Sequence, residues 1–232
     1  MKKATKKSSR SRKATKSTIK RSSAKRSSGG SAIRTKQGVT ENRILMQMAR
    51  ESLKGKWGLA VGAFFVYMLI TFVVQQLPFF GFIVSLVISG PLTLGVVLFS
   101  LALSRNKQPK FEQIFHGFEN FTTALVAYLL MTLFVLLWML LLIIPGIVAA
   151  LSYAMTFYII ADDSKIDASQ AIKKSKRMMY GYKWKLFCLG LRFIGWALLS
   201  ILTLGIGFLW FVPYVNISMA KFYDDIKNNS SA

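Results

Sequence analysis

Few side chains in this sequence could carry out covalent or acid–base chemistry. His116 is its one histidine and Cys188 its one cysteine, so neither a disulfide framework nor a Cys/His zinc cluster is available. His116 sits beside Phe115 and reads as a headgroup-level histidine; Cys188, inside an apolar stretch, reads as a small buried residue. Asp162-Asp163 and Asp224-Asp225 are adjacent carboxylates that could hold a divalent cation, but neighbouring acids more commonly project into water. Arg192 is the one cation inside an otherwise apolar run. It either snorkels to the inner interface or faces the interior and clamps a phosphate or carboxylate beside Asn216, whose amide otherwise serves as interhelical glue. No phosphate-cradling Gly-rich loop followed by Lys is present, and no expected span carries a carboxylate for proton coupling. The expectation is a non-enzymatic protein with no cofactor, no metal and no catalytic residue.

What must position these residues is set by the distribution of charge. The apolar set makes up 53% of 232 residues, yet Lys and Arg exceed Asp and Glu by 31 to 9, a net charge of +22. The two tendencies are separated along the chain. Neither Gly58–Ser104 nor Asn120–Ala161 contains an Asp, Glu, Lys or Arg, and Leu186–Ala220 contains only Arg192. About 20 apolar residues cross a bilayer as a helix, so each block is long enough for two spans. Near the middle of each lies a turn signal: Gln75 to Gly81, Ile144-Pro145-Gly146, and Thr203 to Gly207. The sequence therefore predicts an all-α, polytopic transmembrane bundle of about six spans in three hairpins, at 58–77, 80–103, 121–144, 146–161, 186–203 and 205–222. The fourth is short, and a kinked or tilted partial span is its alternative reading. Every Lys and Arg except Arg192 then falls on one side, which predicts both termini in the cytoplasm. The apolar run from Gly58 lies too far from the N-terminus, and is too long, for a cleaved signal peptide.

Residues 1–41 form the first domain, a basic tail; positions 1–39 hold 14 Lys and Arg and no acid. Such a segment cannot bury enough apolar surface to order itself and is predicted to be disordered, with anionic phospholipid of the bilayer or nonspecific nucleic acid as its partner. The membrane domain follows at 42–226, then a short cytoplasmic tail at 227–232. Three amphipathic interfacial helices are predicted within the membrane domain. The first carries Ile44, Leu45, Met48, Ala49 and Leu53 on one face and should lie flat on the bilayer; the second repeats Phe111, Ile114, Phe115 and Phe118. The third, Asp167 to Tyr180, opens on an Asp167/Gln170 capping box and gathers Ala168, Ala171, Ile172, Ser175 and Met179 on one face. Its Lys173, Lys174, Lys176 and Arg177, together with Arg192, are the candidate anion or lipid contacts. Trp57 and Trp184 are candidate interfacial anchors. Gly55, Gly117 and Gly181 each end such a helix ahead of an aromatic residue, a pattern that reads as a weak threefold repeat.

The runs Leu53-Lys54-Gly55-Lys56-Trp57, Ile143-Ile144-Pro145-Gly146, Gly181-Tyr182-Lys183-Trp184, Phe193-Ile194-Gly195-Trp196 and Leu202 to Trp210, with Pro213-Tyr214, resemble a bacterial integral-membrane family catalogued as domain of unknown function 975. The resemblance covers about residues 42–226. It implies a multi-pass protein of the bacterial inner membrane and carries no activity, substrate or active site with it. The basic tail departs from the family, whose members usually begin near the first interfacial helix. Three functions are open on the sequence: organisation of anionic lipids or partners at the cytoplasmic face, a small-solute or lipid permease, or a membrane tether for nucleic acid through the tail.

Overall fold

A computed structural model of the protein describes residues 40–77 and 81–230; the expected tail 1–39 and the Pro78-Phe79-Phe80 part of the first turn lie outside them. Among the described residues the structure is all-helical. α1 (Asn42–Leu53) precedes the first hairpin, α2 (Trp57–Gln75) and α3 (Gly81–Ser104). A 3₁₀ helix, Phe111–Phe118, leads into α4 (Phe121–Leu141), α5 (Ile143–Tyr153) and α6 (Thr156–Asp162). α7 (Ala168–Met178) precedes the third hairpin, α8 (Lys183–Leu202) and α9 (Phe208–Ser230).

Five helical segments are long and apolar enough to cross a membrane: α2, α3, α4, α8, and α5 with α6 taken together as Ile143–Asp162. The sixth expected span is helical too, but α9 carries Lys221, Asp224 and Asp225 in its second half, which sets it apart from those five. Its turn with α8 lies where the sequence places it. Leu204 (φ 55°) and Gly205 (φ 87°) both adopt the left-handed conformation that reverses the chain. The second turn comes slightly earlier than Ile144-Pro145-Gly146: Leu142 is extended between α4 and α5, leaving Pro145 in the first turn of α5, where its missing N–H costs nothing.

The fourth span, Ile143–Asp162, is long enough to cross, so the partial-span alternative is not needed, but its helix is interrupted. Between α5 and α6 the regular helix lapses at Ala154 and Met155, freeing backbone groups that an apolar environment would penalise. Ser175 of α7 satisfies two of them. Its hydroxyl donates to the Ser152 carbonyl at 2.8 Å and accepts from the Met155 N–H at 3.2 Å.

The core gathers around the second half of α3, α6 and the second half of α9, where Phe99, Leu103, Met155, Ile159, Ile160, Phe222 and Tyr223 are fully buried. Away from it, near the turns, large apolar side chains such as Leu140, Ile144, Leu202 and Leu204 are exposed, as expected of a surface facing lipid rather than water.

Of the three amphipathic helices, α7 buries its whole expected face against this bundle, α1 most of its face, and the second helix only Ile114 of its expected face. Leu45, Ala49 and Leu53 of α1 are buried, while Thr40 bonds Asp225 and Arg50 bonds Tyr214. α1 therefore runs antiparallel along α9, so protein covers Leu45, Ala49 and Leu53 of its apolar stripe while Met48 stays exposed, and the flat-lying expectation is corrected. The second helix winds as 3₁₀, whose period of three puts Ile114 and Gly117 together against α3 and leaves Phe111, Phe115 and Phe118 exposed. In α7 the expected face is the buried one, Ala168, Ala171, Ile172, Ser175 and Met179 all being buried. The threefold glycine pattern holds at two positions. Gly55 (φ 76°) and Gly181 (φ 84°) are left-handed helix stops in open space, whereas Gly117 is a close-packing residue.

Candidate functional site

α7 begins at Asp167, whose carboxylate accepts from the Ser169 N–H at 3.0 Å and the Ser169 hydroxyl at 2.6 Å. The expected N-cap is present, with Ser169 in the bonding role expected of Gln170. The Ser169 hydroxyl and N–H hold the Asp167 carboxyl below the usual carboxylate range. Because the apolar face is buried against the bundle, the opposite face must be exposed. It carries Lys173, Lys174, Lys176 and Arg177, all exposed. Lys173, Lys176 and Arg177 line an open recess of about 520 Å³ with Tyr180, which is 84% exposed. Just beyond the Gly181 stop, Trp184 is 72% exposed and stacks on Phe187 at 5.4 Å. The structure thus places a cationic face beside two exposed amphipathic aromatic rings, the side-chain set of a membrane–water boundary. Trp57, the other expected anchor, is half-buried beside Arg50 and Tyr214 in a different recess.

Arg192 is not brought to α7. It lies exposed on α8 and forms no ion pair among the described residues. Asn216 donates to the Val212 carbonyl of its own helix at 2.9 Å. The pairing of these two residues into an interior anion clamp is therefore replaced by an outward-facing arginine and a self-bonded amide. His116 is exposed with its Nδ1 3.8 Å from a Glu119 carboxylate oxygen, and Cys188 is half-buried on α8.

The acid pairs behave differently from their expected projection into water. Arg105, at the end of α3, holds two carboxylates with one guanidinium. Its Nη1 and Nη2 donate to the Asp162 oxygens at 2.7 and 3.1 Å, and its Nε and Nη2 donate to Asp224 Oδ1 at 3.2 and 2.7 Å. Tyr223 donates to Asp162 at 3.0 Å, and Lys227 also bonds that carboxylate. The bonds to Asp162, then those to Asp224, raise the Arg105 pKa further above its already high value. Burial, followed by the Asp162 charge, pushes the Tyr223 phenol up. Asp225 accepts from Lys185 at 2.8 Å and from the Thr40 N–H at 3.1 Å. Only Asp163 keeps to local bonding, accepting from the Lys165 N–H at 3.2 Å. Asp162, Asp224 and Asp225 are thus matched by cations that tie α3, α6, α8, α9 and Thr40 together, and no group of three or more metal-ligating side chains occurs among the described residues.

Sequence reasoning missed Arg105, the hub of this network. The available signal was its position as the first charge after the long neutral run ending at Ser104, where a helix leaves the apolar layer.

The chain matches the family described as Protein of unknown function (DUF975) over residues 40–153 and 139–230. It belongs to that family. No curated protein and no solved structure matches it. The DUF975 match takes in all three hairpins, the cationic face of α7 and every residue of the Arg105 network. With five helices apolar enough to span, this DUF975 chain is a membrane protein of unknown function.

Proposed function

We propose that the protein is a non-enzymatic, multi-pass protein of the bacterial inner membrane, both termini cytoplasmic, that gathers anionic phospholipid at the inner face through α7. The observation that carries this reading is the exposed row Lys173, Lys174, Lys176 and Arg177 on a helix whose other face is fixed to the bundle. A basic residue near an anionic surface contributes about 1 kcal/mol. Four on one pre-ordered face, with Tyr180 and Trp184 at the boundary, suit headgroup phosphates without a backbone ordering cost at the moment of binding. The topology rests on the same residues, because the positive-inside bias puts α7 and the other basic loops on the cytoplasmic side.

The test uses the full chain in lipid nanodiscs, with spin-labelled phosphatidylglycerol and phosphatidylcholine as probes. The expected result is preferential association of phosphatidylglycerol that weakens with salt and is largely lost when Lys173, Lys174, Lys176 and Arg177 are changed to Gln. A preference untouched by that change but abolished by removing residues 1–39 would overturn the assignment to α7. Solute flux in reconstituted vesicles that vanishes in Arg192→Leu would favour the permease. Retention of DNA by the membranes, dependent on residues 1–39, would favour the tether.

A further inference from the structure

Three of the protein's five tryptophans, Trp57, Trp196 and Trp210, line one recess together with Leu199, Phe211 and Tyr214. It is a cavity of about 350 Å³ where the end of α1 and the start of α2 meet the α8–α9 hairpin, within the ~300–1,000 Å³ range of ligand pockets. Its hydroxyl groups are already used, since Ser200 donates to the Trp196 carbonyl at 2.8 Å and Thr203 to the Ser200 carbonyl at 2.9 Å. The wall is otherwise almost wholly apolar, and the hairpin around it exposes Leu202, Leu204 and Ile206.

One charge reaches this recess, that of Arg50. Its guanidinium carbon lies 5.4 Å from the Trp196 ring centre and 5.2 Å from that of Tyr214, and its Nε donates to the Tyr214 hydroxyl at 3.2 Å. Arg105 and Lys185 are matched by carboxylates; Arg50 has none among the described residues. Two aromatic faces therefore position an unneutralised, planar donor at the edge of an apolar slot. Stacking of this kind leaves a guanidinium able to take a phosphate with its remaining N–H groups.

We infer that this recess binds an anionic phospholipid, one acyl chain lying along the tryptophans and the phosphate on Arg50. Charge complementarity selects this occupant: a zwitterionic lipid brings its own ammonium to a phosphate beside Arg50, and a free phosphate leaves the apolar wall empty. The inference stands apart from the reading of α7, because the recess draws on α1, α2, α8 and α9 alone.

The experiment uses the full chain carrying Trp138→Phe and Trp184→Phe, so that only the recess tryptophans report. Phosphatidylglycerol or phosphatidylcholine with brominated acyl chains is titrated into bilayers of unlabelled phosphatidylcholine, and quenching of fluorescence is read. The expected result is half-maximal quenching at a several-fold lower fraction of phosphatidylglycerol than of phosphatidylcholine. Arg50→Gln should bring the two curves together, and Arg50→Lys, which keeps the charge but loses the stacked planar fork, should keep only part of the separation. The preference should survive inorganic phosphate and neutralisation of Lys173, Lys174, Lys176 and Arg177 to Gln. Identical curves for the two lipids in the unaltered recess, or a separation that persists in Arg50→Gln, would overturn the assignment. So would loss of the separation with the α7 changes, with phosphate, or alongside cross-linking of two copies through the recess.

Discussion

Gly95 and Gly117 meet where two backbones touch. A Cβ on Gly117 would stand 2.5 Å from the Gly95 nitrogen and 2.0 Å from the Pro91 carbonyl oxygen, and one on Gly95 would stand 1.7 Å from the Ile114 carbonyl oxygen. The atoms met are backbone atoms, which cannot swing aside. Gly95→Ala and Gly117→Ala should therefore each cost at least the ~1–3 kcal/mol of core overpacking, visible as a lowered thermal transition in detergent. Gly58→Ala, where nothing lies within 4 Å and Ala is the better helix former, should leave that transition unlowered and serves as the control.

The Arg105 bridge predicts an asymmetry between its partners. Arg105→Met leaves Asp162 and Asp224 facing each other without their shared cation, although Lys227 remains on Asp162. Burial of a half-broken pair costs ~3–5 kcal/mol in a closed interior. With the Arg105 side chain 31% exposed, solvent screening reduces this to about 1–3 kcal/mol. Asp224→Asn should cost less, because Arg105 keeps both Asp162 oxygens. A double-mutant cycle over Arg105 and Asp162, read by chemical denaturation in detergent, should return a clear coupling energy.

Ser175→Ala removes the hydroxyl that serves both the Ser152 carbonyl and the Met155 N–H. Leaving buried backbone groups unmatched costs about 1–3 kcal/mol, and the loss should be local. Hydrogen exchange at Met155 and its neighbours should accelerate in this variant, while the amides of α2 keep the rate of the unaltered protein.

The cap of α7 titrates. Bonds from Ser169 lower the Asp167 pKa in the folded protein, so the cap stabilises α7 fully above the ordinary carboxylate value of about 3.9. That contribution is lost as pH falls through the depressed folded value. Exchange of the Ser169–Ile172 amides should therefore accelerate in acid relative to Asp167→Asn, in which an uncharged but competent cap removes the titration. A constant ratio between the two proteins across that range would show that the cap contributes nothing pH-dependent.

Much of this architecture was legible because lipid imposes a simple rule: long stretches without charge must lie in the apolar layer. The hairpin at Thr203 to Gly207 and the buried face of α7 followed from glycine placement and helical period. The break at Ala154-Met155 did not, since neither Gly nor Pro marks it; a serine twenty residues onward makes it tolerable. The stripe from Phe111 to Phe118 has the spacing of an α-helix, but the segment winds as 3₁₀ with Gly117 packed closely against Gly95, a contact that periodicity does not show. Asp162 and Asp224 likewise looked like independent exposed acids, because pairing through Arg105 across 57 and 119 residues leaves no trace in local pattern. Of the candidate contacts, the four α7 cations share a face as periodicity requires, whereas the surroundings of Arg192 depended on helix rotation that its apolar neighbours leave undetermined.

The Arg105 bridge also constrains how the chain is made. Arg105 emerges from the ribosome before Asp162, 57 residues on, and well before Asp224, 119 residues on, so during synthesis the first two hairpins wait with the guanidinium only half matched. Lys221, which bonds the Ser104 carbonyl, arrives with the same helix, α9. Insertion of α9 is thus the step that latches the earlier hairpins, and a nascent chain released before it would hand quality-control proteases an open bundle with Ser104 and Arg105 still unsecured.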